Sequence, residues 1–198
     1  MLKLGIIPAA GKAERFGGIA KELLPSRNGS PLIVETLLRM IDFQIDTHIV
    51  VTTAAKCCGH VAHSLDDTLF LRQNNAGLSG AVFDVMSAFR FCKANYLLMM
   101  PDTDYSSTEI PDLGRKLDKV QLGIFTTRKP ERFGVLKDGR IFDKDKTLSG
   151  KQKAWGWVAW HSDWISSGLE LDMLLTKPFD HVLNYLIENH GYETYKIM

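Results

Sequence analysis

"LKLGIIPAAGKAERFGGIAKELLP", residues 2 to 25, decides how this chain is read. An apolar run, Leu2 to Ile7, breaks at Pro8 into small residues, glycines, one arginine and two lysines, then closes on leucines and a proline. A short buried strand followed by such a loop presents backbone amides as an anion nest. Gly11, Gly17 and Gly18 let the backbone approach a ligand closely. Arg15 offers a fork that matches phosphate oxygens, and Lys21 a point charge. The expected ligand is a triphosphate. A P-loop is excluded, because no G-x-x-x-x-G-K-[ST] spacing occurs here. A dinucleotide fingerprint is excluded too, since position 13 is alanine.

Outward from this loop, strand-like and helix-like segments alternate. Ser30 is expected to cap a helix beginning at Pro31, with Ile33, Val34, Leu37, Leu38 and Ile41 on its buried face. "THIVVTTA" and "TLFLRQ" read as strands with a short helix near "HVAHSLDD" between them. Gly77 to Cys92 reads as an amphipathic helix, and "NYLLMM" as a buried strand that stops at Pro101. This alternation predicts an α/β, Rossmann-like, mostly parallel sheet with helices on both faces. In such a sheet the opening loop and "PDTD" both follow strand carboxyl ends and share one crevice.

The later chain changes character. "QLGIFTT", "WGWVAW" and "YETYKIM" read as strands, and "FGVLKDGRIF" as a hairpin turning at Asp138-Gly139. "SDWISSGLELDMLL" and "FDHVLNYLIENH" read as helices split at Pro178. No linker separates two units. We therefore expect one domain over 1–198, with about 1–110 forming a nucleotide-binding half and 111–198 a lid against it.

Composition limits the function classes. The chain has 198 residues and a formal charge of +1, so no global field draws it to nucleic acid or anionic lipid. No apolar run approaches the roughly 20 residues of a membrane span. The N-terminus does not read as a signal peptide. Three cysteines, Cys57, Cys58 and Cys92, make a poor disulfide framework and point to the cytoplasm. His60 and His63 read as surface histidines rather than metal ligands, and the tryptophans at 155, 157, 160 and 164 as core. Simple strand alternation puts Trp155 and Trp157 on one face and Trp160 on the other. The sequence leaves a homo-oligomer open.

"AAGKAERFGGIAKELLP" resembles the signature loop of sugar-1-phosphate nucleotidyltransferases, with "KELLP" closest to the uridylyl- and thymidylyltransferase branches. The resemblance implies transfer of NMP from an NTP, UTP or dTTP, to a sugar 1-phosphate with release of pyrophosphate. It implies nucleotide contacts at Ala10 and Gly11, and catalytic phosphate contacts at Arg15 and Lys21. "QNNAGLSGAV" is similar to the family's base-reading segment, which assigns the base to Gln73 and Gly77. "FGV" with "DGRIFDKDK" resembles the sugar-binding hairpin. Gly134 would face the sugar, and Asp143-Lys144 or Asp145-Lys146 would hold its hydroxyls and phosphate, with Gly156 in "WGWVAW" at the same pocket. Asp102 matches the family's catalytic Mg²⁺ aspartate, with Asp104 as the alternative metal ligand. The family's late metal aspartate has no counterpart in "GYETYKIM", and the loop between Arg15 and Lys21 is short. Two other readings stay open: a nucleotide or sugar-nucleotide binding protein without turnover, and a cytidylyl- or guanylyltransferase for a non-sugar acceptor.

Overall fold

A computed structural model describes residues 1–12, 19–105, 107–165 and 168–198. The first apolar run is strand β1 (Leu2–Pro8). It pairs in parallel with β2 (Thr47–Thr52) on one side and β4 (Ala94–Met99) on the other, and β3 (Thr68–Arg72) extends the sheet beyond β2. β1, β2 and β4 are buried on both faces, as the interior of a parallel sheet demands, whereas the edge strand β3 is only half-buried.

The sheet then takes an unexpected turn. β8 (Gln152–His161) lies antiparallel between β4 and β5 (Val120–Thr127), and β9 (Tyr192–Lys196) joins β5 in parallel. The order is β3-β2-β1-β4-β8-β5-β9. The hairpin of β6 (Gly134–Lys137) and β7 (Arg140–Asp143) hangs from β8 through Val135 and Leu136. Its turn is at Asp138 and Gly139, whose φ values of 50° and 76° are those a type I′ turn requires.

Helices cover both faces. Gly5 of β1 faces α1 (Leu32–Asp42) so closely that an added β-carbon would stand 2.6 Å from the Met40 sulfur. Thr52, an even number of residues along β2 from His48, the partner of Gly5, faces the same side and bonds His60 of α2 (Ala54–Ala62), so α1 and α2 share one layer. On the other face lie α3 (Gly77–Ala88), α4 (Leu169–Thr176) and α5 (Phe179–His190), which pack on one another. Among the described residues this makes nine strands and five α-helices, the architecture the sequence predicts.

Several local expectations are corrected. Pro31 is itself the N-cap of α1, and Ser30 makes no side-chain cap. Its carbonyl instead accepts from the Ser26 amide at 2.7 Å and closes the preceding turn. The buried stripe of α1 is Ile33, Thr36, Leu37 and Met40, while Leu38 and Ile41 are exposed. At about 100° per residue, Leu38 lies about 140° round from Ile33. Thr36 is accepted in the core because its hydroxyl donates to the Leu32 carbonyl at 3.0 Å. The helix before β3 is earlier than "HVAHSLDD" suggests, and α3 stops at Ala88, short of Cys92. "SDWI" is a separate 3₁₀ turn, with residues 166–167 outside the described set before α4.

The tryptophans are core residues, but not with simple alternation. Gly123 pairs with Trp157 and Ile124 with Trp155, leaving Gly156 as an extra residue opposite β5. That β-bulge throws Trp155 and Trp157 to opposite faces. Trp157 meets Phe43 at the end of α1, whereas Trp155 and Trp160 both meet Phe179 of α5. Gly123 exists under the Trp157 indole; a β-carbon there would lie 2.0 Å from Nε1.

Candidate active site

Because β1 to β4 run in parallel, the segments following them emerge at one edge of the sheet. Four carry the site: the opening loop, the start of α2, residues 73–77, and residues 100–105.

The last of these is tied down firmly. The Met100 amide donates to the Gly156 carbonyl at 3.1 Å, and the Tyr105 hydroxyl donates to the same carbonyl at 2.6 Å. Burial pushes the Tyr105 phenol well above its ordinary value, so it remains a donor. The bulged Gly156 therefore serves as the seat of this loop. An added β-carbon at Gly156 would stand 2.9 Å from Ile197, 3.0 Å from Thr103 and 3.4 Å from Tyr105. Held this way, Asp102 projects outward and its Oδ2 accepts from Lys21 Nζ at 2.5 Å. Both side chains are about one-third exposed, at 34% and 36%. Residues 81 positions apart, from the ends of two neighbouring parallel strands, thus meet as an ion pair. Asp104 points elsewhere: its Oδ2 lies 3.8 Å from Arg27 Nε on an open surface.

Lys21 opens a 3₁₀ turn, Lys21–Leu23. The next residue, Glu22, is 1% exposed and was not singled out from the sequence. Glu22 Oε1 accepts from Lys56 Nζ at 2.9 Å and lies 2.9 Å from His60 Nε2. His60 Nδ1 lies 2.7 Å from the Thr52 hydroxyl. Burial alone would raise the Glu22 carboxyl, but hydrogen bonds from His60, its own backbone and Lys56 outweigh that and hold it below its ordinary value. Lys56 also donates to the carbonyls of Ala9 at 3.3 Å and Gly11 at 2.5 Å. His60 is accordingly a fully buried residue, not the surface histidine expected; Glu22 supplies the partner that makes its burial tolerable. The one local hint was the placing of Lys56 and His60 four apart, on one helical face. Ala10 is half-buried and Gly11 exposed. Arg15, Gly17 and Gly18 lie outside the described residues.

The 73–77 loop is built around a buried carboxylate. Asp84 of α3 accepts from the amides of Asn74 at 2.7 Å and Asn75 at 3.1 Å, and from the Asn75 side chain at 2.5 Å. Gln73 Nε2 curls back onto the carbonyls of Asn75 at 2.5 Å and Gly77 at 2.8 Å. Gly77 has φ of +77°, which its lack of a side chain permits. The Gln73 amide bonds the Thr52 carbonyl at 2.8 Å, so this loop and the His60 cluster meet at one residue.

In the hairpin, Gly134 packs under Trp155, whose Nε1 would lie 2.2 Å from an added β-carbon. Lys144 Nζ bonds its neighbour Asp143 at 3.0 Å. Asp145 accepts from the Thr147 amide at 2.8 Å and hydroxyl at 2.7 Å, and those bonds hold its carboxyl below the ordinary range. Lys146 is exposed. No hydrogen bond among the described residues joins this hairpin to Lys21 or Asp102. Two shallow cavities, of about 250 and 390 Å³, are both lined by Arg140, His181 and Asn184, and the larger also takes in Asp143 and Asp145 beside the hairpin.

The model of the MobA-like NTP transferase domain matches residues 5–164. The chain belongs to that family. No curated protein matches it by sequence. The fold of this NTP transferase domain recurs in solved structures. One is named a glucose-1-phosphate thymidylyltransferase from Bacillus anthracis, in complex with sucrose. It is 17% identical, covers 99% of this chain and 87% of its own, and gives a TM-score of 0.75. A UDP-glucose pyrophosphorylase complexed with UDP-glucose is 16% identical, covers 99% and 91%, and scores 0.74. A UTP-bound UGPase from Acinetobacter baumannii is 16% identical, covers 100% and 87%, and scores 0.69. The NTP transferase domain is of nucleotidyltransferase type. None of its described helices is long and apolar enough to cross a membrane.

Proposed function

We propose that this NTP transferase moves NMP from UTP or dTTP to a sugar 1-phosphate and releases pyrophosphate. The observation that carries the reading is the Lys21–Asp102 pair, a cation and an acid brought together where two parallel strands end. Solved proteins of this fold hold UTP and UDP-glucose, which supports the choice of substrates.

In this mechanism an oxygen of the sugar phosphate attacks the α-phosphorus in line, and the bond to pyrophosphate breaks. The protein positions the reactants and neutralises charge. Amides around Ala10 and Gly11 face the triphosphate; Lys21, with Arg15, balances phosphate charge. Gln73 and Gly77 read the base. Gly134 and Gly156 border the sugar. Of the two acid-lysine pairs, Asp143-Lys144 is favoured because Asp145 is already engaged by Thr147, leaving Lys146 as a further phosphate contact.

Mg²⁺ fits the donor set. It takes one or two carboxylates together with phosphate oxygens, and Asp102 offers one such carboxylate at a partly exposed position. Asp104, the alternative acid of the same loop, is turned toward Arg27 instead, so Asp102 would be the protein's ligand. Among the described residues no group of three or more His, Cys, Asp or Glu gathers, so the ion would be held jointly by Asp102 and the bound phosphates. The ion supplies neutralisation of phosphate charge. We assign the nucleotide to about 1–110 and the sugar to 111–198. We place the protein in the cytoplasm, in keeping with three free thiols.

Pyrophosphate release measured across four NTPs and a set of sugar 1-phosphates tests this reading. Lys21→Ala and Asp102→Ala are each expected to lower kcat by about 10²-fold or more. Unchanged turnover rejects their roles, and tight NTP binding without product for any acceptor favours a binding protein.

A further inference from the structure

Lys56 is the buried cation for which the transfer chemistry has no use. Its side chain is 11% exposed and it follows β2 on helix α2. A lysine ammonium has three N–H donors and no acceptor. Here all three have partners: the carbonyls of Ala9 and Gly11 and the carboxylate of Glu22. Nothing remains to reach a substrate phosphate, so Lys56 acts on the loop and not on the ligand.

Its effect follows from peptide geometry. In a trans peptide the N–H points opposite to the C=O of the same unit, and no cis bond occurs among the described residues. The Ala9 and Gly11 carbonyls are drawn toward Lys56. The amides of the same two peptide units, those of Ala10 and Lys12, are thereby turned away from it. Without such a tie the carbonyl dipoles could rotate toward a bound polyanion and oppose it. Glu22, which Lys56 shares with His60, follows Lys21 directly in sequence. The buried cluster therefore also fixes the base from which Lys21 reaches Asp102.

We infer that Lys56, buttressed by Glu22 and His60, is a positioning residue that turns the opening-loop amides toward the triphosphate of a bound NTP. This inference rests on the nucleotidyltransferase reading, and its test separates the two. Binding of UTP and of uridine is measured by calorimetry for the wild type, Lys56→Met and Lys56→Arg. UTP affinity is expected to fall at least about tenfold in K56M, the scale of one weakened bond to a charged group. Uridine affinity should be unchanged, and K56R should recover part of the loss. In turnover, KM for the NTP should rise while KM for the acceptor holds; a merely structural defect would lower kcat and leave both KM values alone. Equal UTP binding by K56M and wild type, or equal weakening of UTP and uridine, overturns the inference and leaves the function standing. A wild type that binds none of the four NTPs overturns both. The wild type provides a check that needs no variant. NMR titration with UTP should shift the amides of Ala10 and Lys12, and two unmoved resonances overturn the inference.

Discussion

Replacing Glu22 with glutamine removes a negative charge from a position 1% exposed and strands the Lys56 ammonium beside it. Taking one partner from a buried ion pair costs about 3–5 kcal/mol. Lys56 retains two carbonyl acceptors, which places E22Q near the lower end, about 3 kcal/mol. For a chain of this size each kcal/mol is worth about 2–4 °C, so the melting point should fall by about 6–12 °C. Calorimetry and urea titration both read this. The pH dependence has a definite sign. The folded Glu22 carboxyl is held below its ordinary value of 4.5, so the unfolded chain binds its proton more tightly. The stability it contributes is complete above that ordinary value and is lost as pH falls through the lowered folded one. The gap between wild type and E22Q should therefore be widest near neutral pH and narrow below about pH 4.5. A double variant, E22Q with Lys56→Met, should lose less than the two single losses added, by about 1 kcal/mol or more. An E22Q melting point within about 2 °C of wild type would refute the reasoning, as would additive losses.

Further expectations concern separate parts of the molecule. Lys21→Ala and Asp102→Asn should leave the urea midpoint nearly unchanged, because a partly exposed pair contributes at most about 1 kcal/mol, while turnover collapses. Gly123→Ala must displace the fully buried Trp157 indole, and overpacking of this kind costs about 1–3 kcal/mol by urea titration, with altered tryptophan fluorescence. Asp84→Ala removes the acceptor of three bonds that shape the 73–77 loop; KM for the NTP should rise, and hydrogen exchange at Asn74 and Asn75 should quicken.

Much of the framework was legible because it is local. The apolar run before Pro8, the β-branched second strand and the Asp138-Gly139 turn each carry their conformation in a few neighbouring residues. Parallel topology then brought Lys21 and Asp102 to one edge, as strand-end reasoning expects. What escaped was non-local. Glu22, Lys56 and His60 are separated by up to 38 positions and acquire meaning only as a cluster. The insertion of β8 against the parallel direction depends on partners on either side of it. One extra residue at Gly156 reverses the facing of Trp155, because a period of two cannot survive an odd insertion. Leu38 and Ile41 mislead for a different reason: a hydrophobic side chain on a helix is not obliged to be inside.

The position of β8 has a consequence for how the chain is made. Its residues emerge from the ribosome after position 150, yet they form the flank of β4, which ends at Met99. Until then the early parallel strands have an unpaired border, the kind of surface that recruits other polypeptides. Native assembly must wait for this late arrival, and such long-range pairing is slow. A nascent fragment halted at residue 110 should therefore be sticky and dependent on chaperones, although it already contains the opening loop and residues 73–77.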